Sequence, residues 1–100
     1  MTDRLYSEDV VTAFVLIDAR PDRIAQLAEE LADIDGVHEV YSVAGEVDIM
    51  AVVRVRDHDL LADVVTKHMA QLDGIMHTRT LLAFRTYGQR DTDAVFSIGD

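Results

Sequence analysis

Two apolar stripes of helical spacing, four β-rich runs and one internal repeat predict an α+β fold for this 100-residue chain. The segments follow the order βαββαβ. Leu31-Ala-Asp-Ile-Asp-Gly-Val37 sits over Met69-Ala-Gln-Leu-Asp-Gly-Ile75 at a constant offset of 38 residues, so two βαβ-like halves stand in tandem. Such halves interleave into a ferredoxin-like sandwich, an antiparallel sheet with two helices on one face. The expected form is the dimeric α/β barrel type of that sandwich.

Each element has its own signal. Thr12 to Asp18 is rich in β-branched and aromatic residues and reads as the first strand. Pro21 suits the first helical turn, where its missing N–H costs nothing, and Asp22 complements the helix dipole. Ile24, Leu27, Ala28, Leu31 and Ile34 recur at spacings of three and four, the stripe of an amphipathic helix. Asp35-Gly36 stops it. Val37 to Val43 is the second strand, Ala44-Gly45-Glu46 a turn, and Val47 to Val55 the third strand of a hairpin. Asp57 or Asp59 caps a second helix whose apolar face holds Leu61, Val64, Val65, His68, Met69 and Leu72. Asp73-Gly74 stops that helix, and Ile75 to Phe84 is the last strand.

A chain of this length forms one domain, 1–100, with its core at 11–86 and residues 87–100 as a tail or a short extra strand around Val95, Phe96 and Ile98. The absence of Cys excludes disulfides, thiolate metal sites and Cys nucleophiles. Nineteen acids against nine Lys and Arg leave a formal charge of −10. A phosphate-gripping surface carries the opposite sign, so direct binding of nucleic acid is not expected. No cationic and apolar leader opens the chain, and no apolar run approaches the ~18 residues of a membrane span. A cytoplasmic location without membrane contact is the expectation.

Strand periodicity sends alternate residues to opposite faces. Ala13, Val15 and Ile17 share one phase of the first strand, but Phe14 and Leu16 fill the other. The third strand repeats this with Val47, Ile49, Ala51, Val53 and Val55 against Met50 and Val52. Two helices cover only one face. The other is an apolar patch of a size that monomers rarely expose, and a two-fold-related partner is its simplest cover. A homodimer through the sheet is therefore expected, with the C-terminal tail as the other cover.

Enzymatic signatures are sparse: there is no Gly-rich phosphate loop and no His-x-x-x-His helix motif. No metal, cofactor or catalytic residue is expected. The hairpin is the exception. Gly45 provides conformational freedom or close backbone approach, and Asp48 interrupts the apolar alternation just after the turn. Thr78 and Thr80 bring hydroxyls on one phase of the last strand, with Arg79 on the other. A carboxylate, hydroxyls and turn amides suit a small zwitterion, although Asp in turns and Thr in strands are also ordinary structural choices.

From Val40 to Phe84 the sequence resembles the effector-binding half of the Lrp/AsnC transcription regulators. The motifs are Val40-Tyr-Ser-Val-Ala-Gly45-Glu-Val-Asp48-Ile, then Asp73-Gly74-Ile75, then Thr78-Arg-Thr80. The resemblance implies a non-catalytic, amino-acid-sensing domain. It implies dimers joined through the sheet, assembled into octamers or decamers, with a small amino acid between neighbouring dimers. By position, Ala44, Gly45, Glu46 and Asp48 would line the turn side of that site, and Tyr41, Thr78, Arg79 and Thr80 the strand side. Only ten residues precede the first strand, so a winged helix-turn-helix is not expected and action on transcription would be indirect, for instance through a full-length regulator of the family. A ligand-free module that co-assembles with such regulators, and a small cofactorless ferredoxin-like enzyme, are the alternatives. The enzyme would need a polar group in a closed cavity, and the chain has no Trp or Asn.

Overall fold

The computed structural model describes residues 10–88; the expected strand around Val95, Phe96 and Ile98 lies outside them. The elements are β1 (Val11–Ala19), α1 (Ile24–Ala32), β2 (Val37–Ser42), β3 (Ile49–Val55), α2 (His58–Asp63) and β4 (Ile75–Leu82). A 3₁₀ turn at Pro21–Arg23 leads into α1, with Pro21 in its first turn as expected. The sheet order is β2-β3-β1-β4, every neighbouring pair antiparallel.

The βαββαβ order and the antiparallel sheet agree with the sequence reading. The barrel form does not. Among the described residues, β2 and β4 are the two edges of an open four-stranded sheet and do not pair with each other. The closure expected from the dimeric α/β barrel type is therefore absent: the split βαβ connections place β3 and β1 in the middle and send the other two strands to opposite edges.

The core lies between the helices and one sheet face. Ala13, Val15 and Ile17 of β1 meet Ile49, Ala51 and Val53 of β3, and Leu27, Leu31, Leu61, Val64 and Met69 close over them. Burial in β1 alternates along the strand, as its phase requires. The repeat is equally concrete. Leu31 and Met69 are both buried, and Gly36 and Gly74 both take positive φ, 95° and 105°, ending their helices. A Cβ on Gly36 would lie 2.8 Å from Val55 Cγ1, and one on Gly74 would lie 2.8 Å from Arg23 Cβ.

The second helix is less regular than its stripe suggests. Asp57 caps it, accepting the Leu60 N–H at 2.8 Å. Beyond Asp63 the chain continues as a π turn, Val64–His68, and a 3₁₀ turn, Met69–Gln71. The Thr66 hydroxyl donates to the Ala62 carbonyl at 2.7 Å, and the Met69 N–H reaches back to the Val64 carbonyl. The wider π turn inserts one residue into the helical count. Met69 is buried as a result, and His68, expected on the apolar face, is exposed.

The β1–α1 and α2–β4 junctions are fastened together. The Arg20 N–H donates to the Gly74 carbonyl at 2.8 Å, and the Arg20 guanidinium grips both Asp73 carboxylate oxygens at 3.2 Å. Arg23 Nε donates to the Asp73 carbonyl at 3.1 Å while its Nη2 pairs with Glu30. No helix of the described residues is long and apolar enough to cross a membrane.

Candidate functional site

The β2–β3 connection is longer than the three-residue turn expected from the sequence, because β3 begins at Ile49 rather than Val47. Its base is closed by Asp48. The Val43 N–H donates to the Asp48 carbonyl at 2.9 Å, and the Asp48 N–H donates to the Ile17 carbonyl at 3.0 Å. The side chain adds a third link: the Ala19 N–H donates to Asp48 Oδ2 at 2.8 Å. The carboxylate thus takes the place of a ladder carbonyl where the β1–β3 pairing ends. This partner lies 29 residues away in sequence, and no local pattern announces it. Oδ1 accepts no hydrogen bond among the described residues.

Ala44, Gly45 and Glu46 form the exposed tip of the loop. Gly45 has φ 134°, and a Cβ there would meet nothing within 4 Å. Backbone conformation rather than crowding calls for glycine at this point. The tip is open to an approaching ligand or subunit.

The strand side is spread across the sheet. Paired residues of antiparallel strands share a face. Thr78 stands opposite Ile17 and Thr80 opposite Val15, so both hydroxyls belong to the helix-covered side of β4. Arg79 stands opposite Leu16, on the helix-free side. Tyr41 pairs with Met50, also on the helix-free side but at the far edge. One row of that face therefore runs Tyr41, Met50, Leu16, Arg79. Thr78 is partly buried beside a cavity of about 310 Å³ under the β4 edge, lined by Val65, Met69, Ala70, Ile75, Met76, His77 and Thr78. Larger recesses lie at the β1–β4 end, where Thr12, Phe84 and Tyr87 meet, and between Gly36 and Leu60. None of Ala44 to Asp48 lines these cavities.

Within one subunit the two sides do not converge. Ile49, next to Asp48, and Thr78 flank Ile17 on β1, two strand spacings or ~10 Å apart. The arrangement offers two half-sites: a turn with free amides, a carboxylate oxygen and Gly45, and a strand edge with hydroxyls above an apolar groove.

Tyr41, and Asp73 at the β1–α1 and α2–β4 junction, are shifted from their ordinary values. Hydrogen bonding to the Glu39 carboxylate, then its charge, raises the Tyr41 phenol above its ordinary pKa. The Arg20 guanidinium, by hydrogen bond and charge, lowers Asp73. No group of three or more metal-ligating side chains occurs among the described residues. Sequence reasoning did not single out Arg20, Arg23 or Asp73 as a network, although the Arg20-Pro21 and Asp73-Gly74 junction motifs mark both of its ends.

A profile of the Lrp/AsnC ligand binding domain matches residues 12–93. An uncharacterized HTH-type transcriptional regulator of Pyrococcus furiosus is 38% identical over 78 residues, covering 75% of this chain and 52% of that regulator. TTHA0845 from Thermus thermophilus, a solved structure, is 48% identical with a TM-score of 0.75, over 79% of this chain and 99% of that one. The feast or famine regulatory protein of M. tuberculosis, solved complexed with L-methionine, is 26% identical with a TM-score of 0.66, over 90% of this chain and 60% of that one. The chain spans about half the length of the curated relatives it matches.

Proposed function

The chain belongs to the Lrp/AsnC ligand binding domain family, and from that premise we propose that it is an amino-acid-sensing regulatory domain, not an enzyme, that takes a small amino-acid effector between subunits and acts on transcription indirectly. The family match over residues 12–93 carries the reading. The M. tuberculosis relative, complexed with L-methionine, supplies the ligand class. The split half-sites favour an inter-subunit position, since Gly45 and Asp48 of one subunit need Thr78 and Thr80 of another to surround a ligand. In this reading turn amides and a Thr hydroxyl take the effector carboxylate, Asp48 Oδ1 takes its ammonium, and Ala44, Glu46, Tyr41 and Arg79 complete the walls.

The helix-free face supports a homodimer. Phe14, Leu16 and Met50 are left partly exposed there, and Tyr41 and Leu81 are 44% and 53% exposed. Burying that surface is favourable at ~25 cal/mol per Å² of apolar area. Dimers then assemble further, with eight subunits the first expectation and ten the second. Both helices of the described residues are committed to the sheet, and a charge of −10 repels phosphate. In this reading, action on transcription runs through co-assembly with a full-length regulator of the family.

A thermal-shift screen against the twenty amino acids, on protein whose mass has been measured in solution, tests this function. A ligand at a hundred times its Kd adds ~2.7 kcal/mol, or roughly 10 °C or more for a domain of this size. No shift with any amino acid on fully assembled protein would refute sensing and leave a ligand-free interaction module.

A further inference from the structure

The two halves of the chain repeat at an offset of 38 residues, yet their helices differ. Val64–His68 is a π turn. Its counterpart in the first half, residues 26–30, lies inside the regular α1. The fold therefore does not require the π turn, and such insertions are frequent at functional sites. Its effect is local. The Met69 N–H reaches back to the Val64 carbonyl, Met69 turns into the core, and Ala70, with a single methyl group, is left beside β4.

The groove of about 310 Å³ between that turn and β4 is the product. Val65, Met69 and Ala70 form its helix wall, and Ile75, Met76 and Thr78 its strand wall. No acid, Lys or Arg lines it among the described residues. His77 borders it but pairs with Asp18, so its side chain belongs to the helix-free side. A charged side chain placed in the groove would lose hydration without a counter-charge. The volume stands at the low end of the ~300–1,000 Å³ of small-molecule sites, room for one aliphatic or thioether side chain. Thr78 joins this groove to the strand half-site. An amino acid whose carboxylate reaches the Thr78 hydroxyl holds its side chain at the mouth of the groove. The ammonium and carboxylate are common to all amino acids, so the half-sites alone do not discriminate, and selection falls to the walls around the side chain.

We propose that this groove is the side-chain pocket of the effector site, that it selects an uncharged aliphatic or thioether side chain, and that Ala70 sets its depth. This rests on the sensing role of the proposed function and adds its specificity.

Calorimetry on the full chain, with its assembled mass measured in solution, would compare free alanine, leucine, methionine, lysine and glutamate. Leucine and methionine should bind roughly tenfold or more tightly than alanine, since each further buried methylene adds affinity. Lysine and glutamate should give no heat. Ala70→Leu fills the groove from an exposed position. It should weaken leucine and methionine by roughly tenfold or more while leaving alanine nearly unchanged, with far-UV circular dichroism and solution mass confirming fold and assembly. Val65→Ala widens the same groove and should move the preference toward phenylalanine, an independent reading if Ala70→Leu disturbs the turn. Tightest binding of a charged amino acid, or equal losses for alanine and methionine in a folded Ala70→Leu chain, would overturn the pocket and leave amino-acid sensing intact. No heat with any amino acid on assembled wild-type protein would remove the sensing role and the pocket with it.

Discussion

Asp48 is the residue where structure and ligand binding can be separated by substitution. Its Oδ2 accepts the Ala19 N–H at 2.8 Å, and Ala19 is 4% exposed, so that donor has little access to water. Asp48→Ala removes the acceptor and orphans the donor. A hydrogen bond to a charged group is worth ~1.5–3 kcal/mol and an unsatisfied buried donor costs a similar amount; part-exposure of the carboxylate favours the lower half, about 1.5–2 kcal/mol. At roughly 4–8 °C per kcal/mol for a domain this size, the melting point should fall by about 10 °C. Asp48→Asn keeps an acceptor with the same shape, and a neutral bond at about half the strength should cost below ~1 kcal/mol. Urea unfolding followed by circular dichroism reads both, with an unchanged m-value. An Asp48→Ala protein within about 0.5 kcal/mol of wild type would refute the claim that this carboxylate ends the β1–β3 ladder. Calorimetry then separates the second role. If Oδ1 takes an ammonium, Asp48→Asn should bind the effector at least ~tenfold more weakly despite its near-normal stability. Equal affinities would confine Asp48 to holding the loop.

Gly74→Ala should destabilise by about 2–4 kcal/mol, because positive φ strains any L side chain and the new Cβ would press on Arg23 Cβ at 2.8 Å; Gly45→Ala, with open space around it, should cost only the backbone strain of ~1–2 kcal/mol. Denaturant titration of the two variants checks the order, and equal losses would contradict it. The depressed Asp73 carboxyl contributes stability that is present above its ordinary pKa of 3.8 and lost as pH falls through its lower folded value. An NMR titration should place Asp73 below that value and return it upward in Arg20→Gln; an unmoved midpoint would sever the link. Tyr41 should ionise above pH 10 because of Glu39, and Glu39→Gln should lower its midpoint in an absorbance titration.

The sequence by itself determined the elements whose causes are local. The stripe of α1, the Asp57 cap, the paired Asp-Gly stops and the opposed phases of β1 and β3 all stand where contiguous residues put them. Periodicity and turn chemistry act over a few residues, so they can be read without coordinates. Ala44, Gly45 and Glu46 were legible as a turn for the same reason. Only the tertiary structure decided what depends on distant partners. It left the sheet open at β2 and β4 and gave Asp48 a backbone N–H from Ala19. It also moved Met69 rather than His68 into the core through a π turn. The Tyr41, Asp48 and Thr78 half-sites stand apart because strand order, not sequence proximity, sets their spacing. Pairing between distant strands is a property of the folded sheet, and no local pattern encodes it.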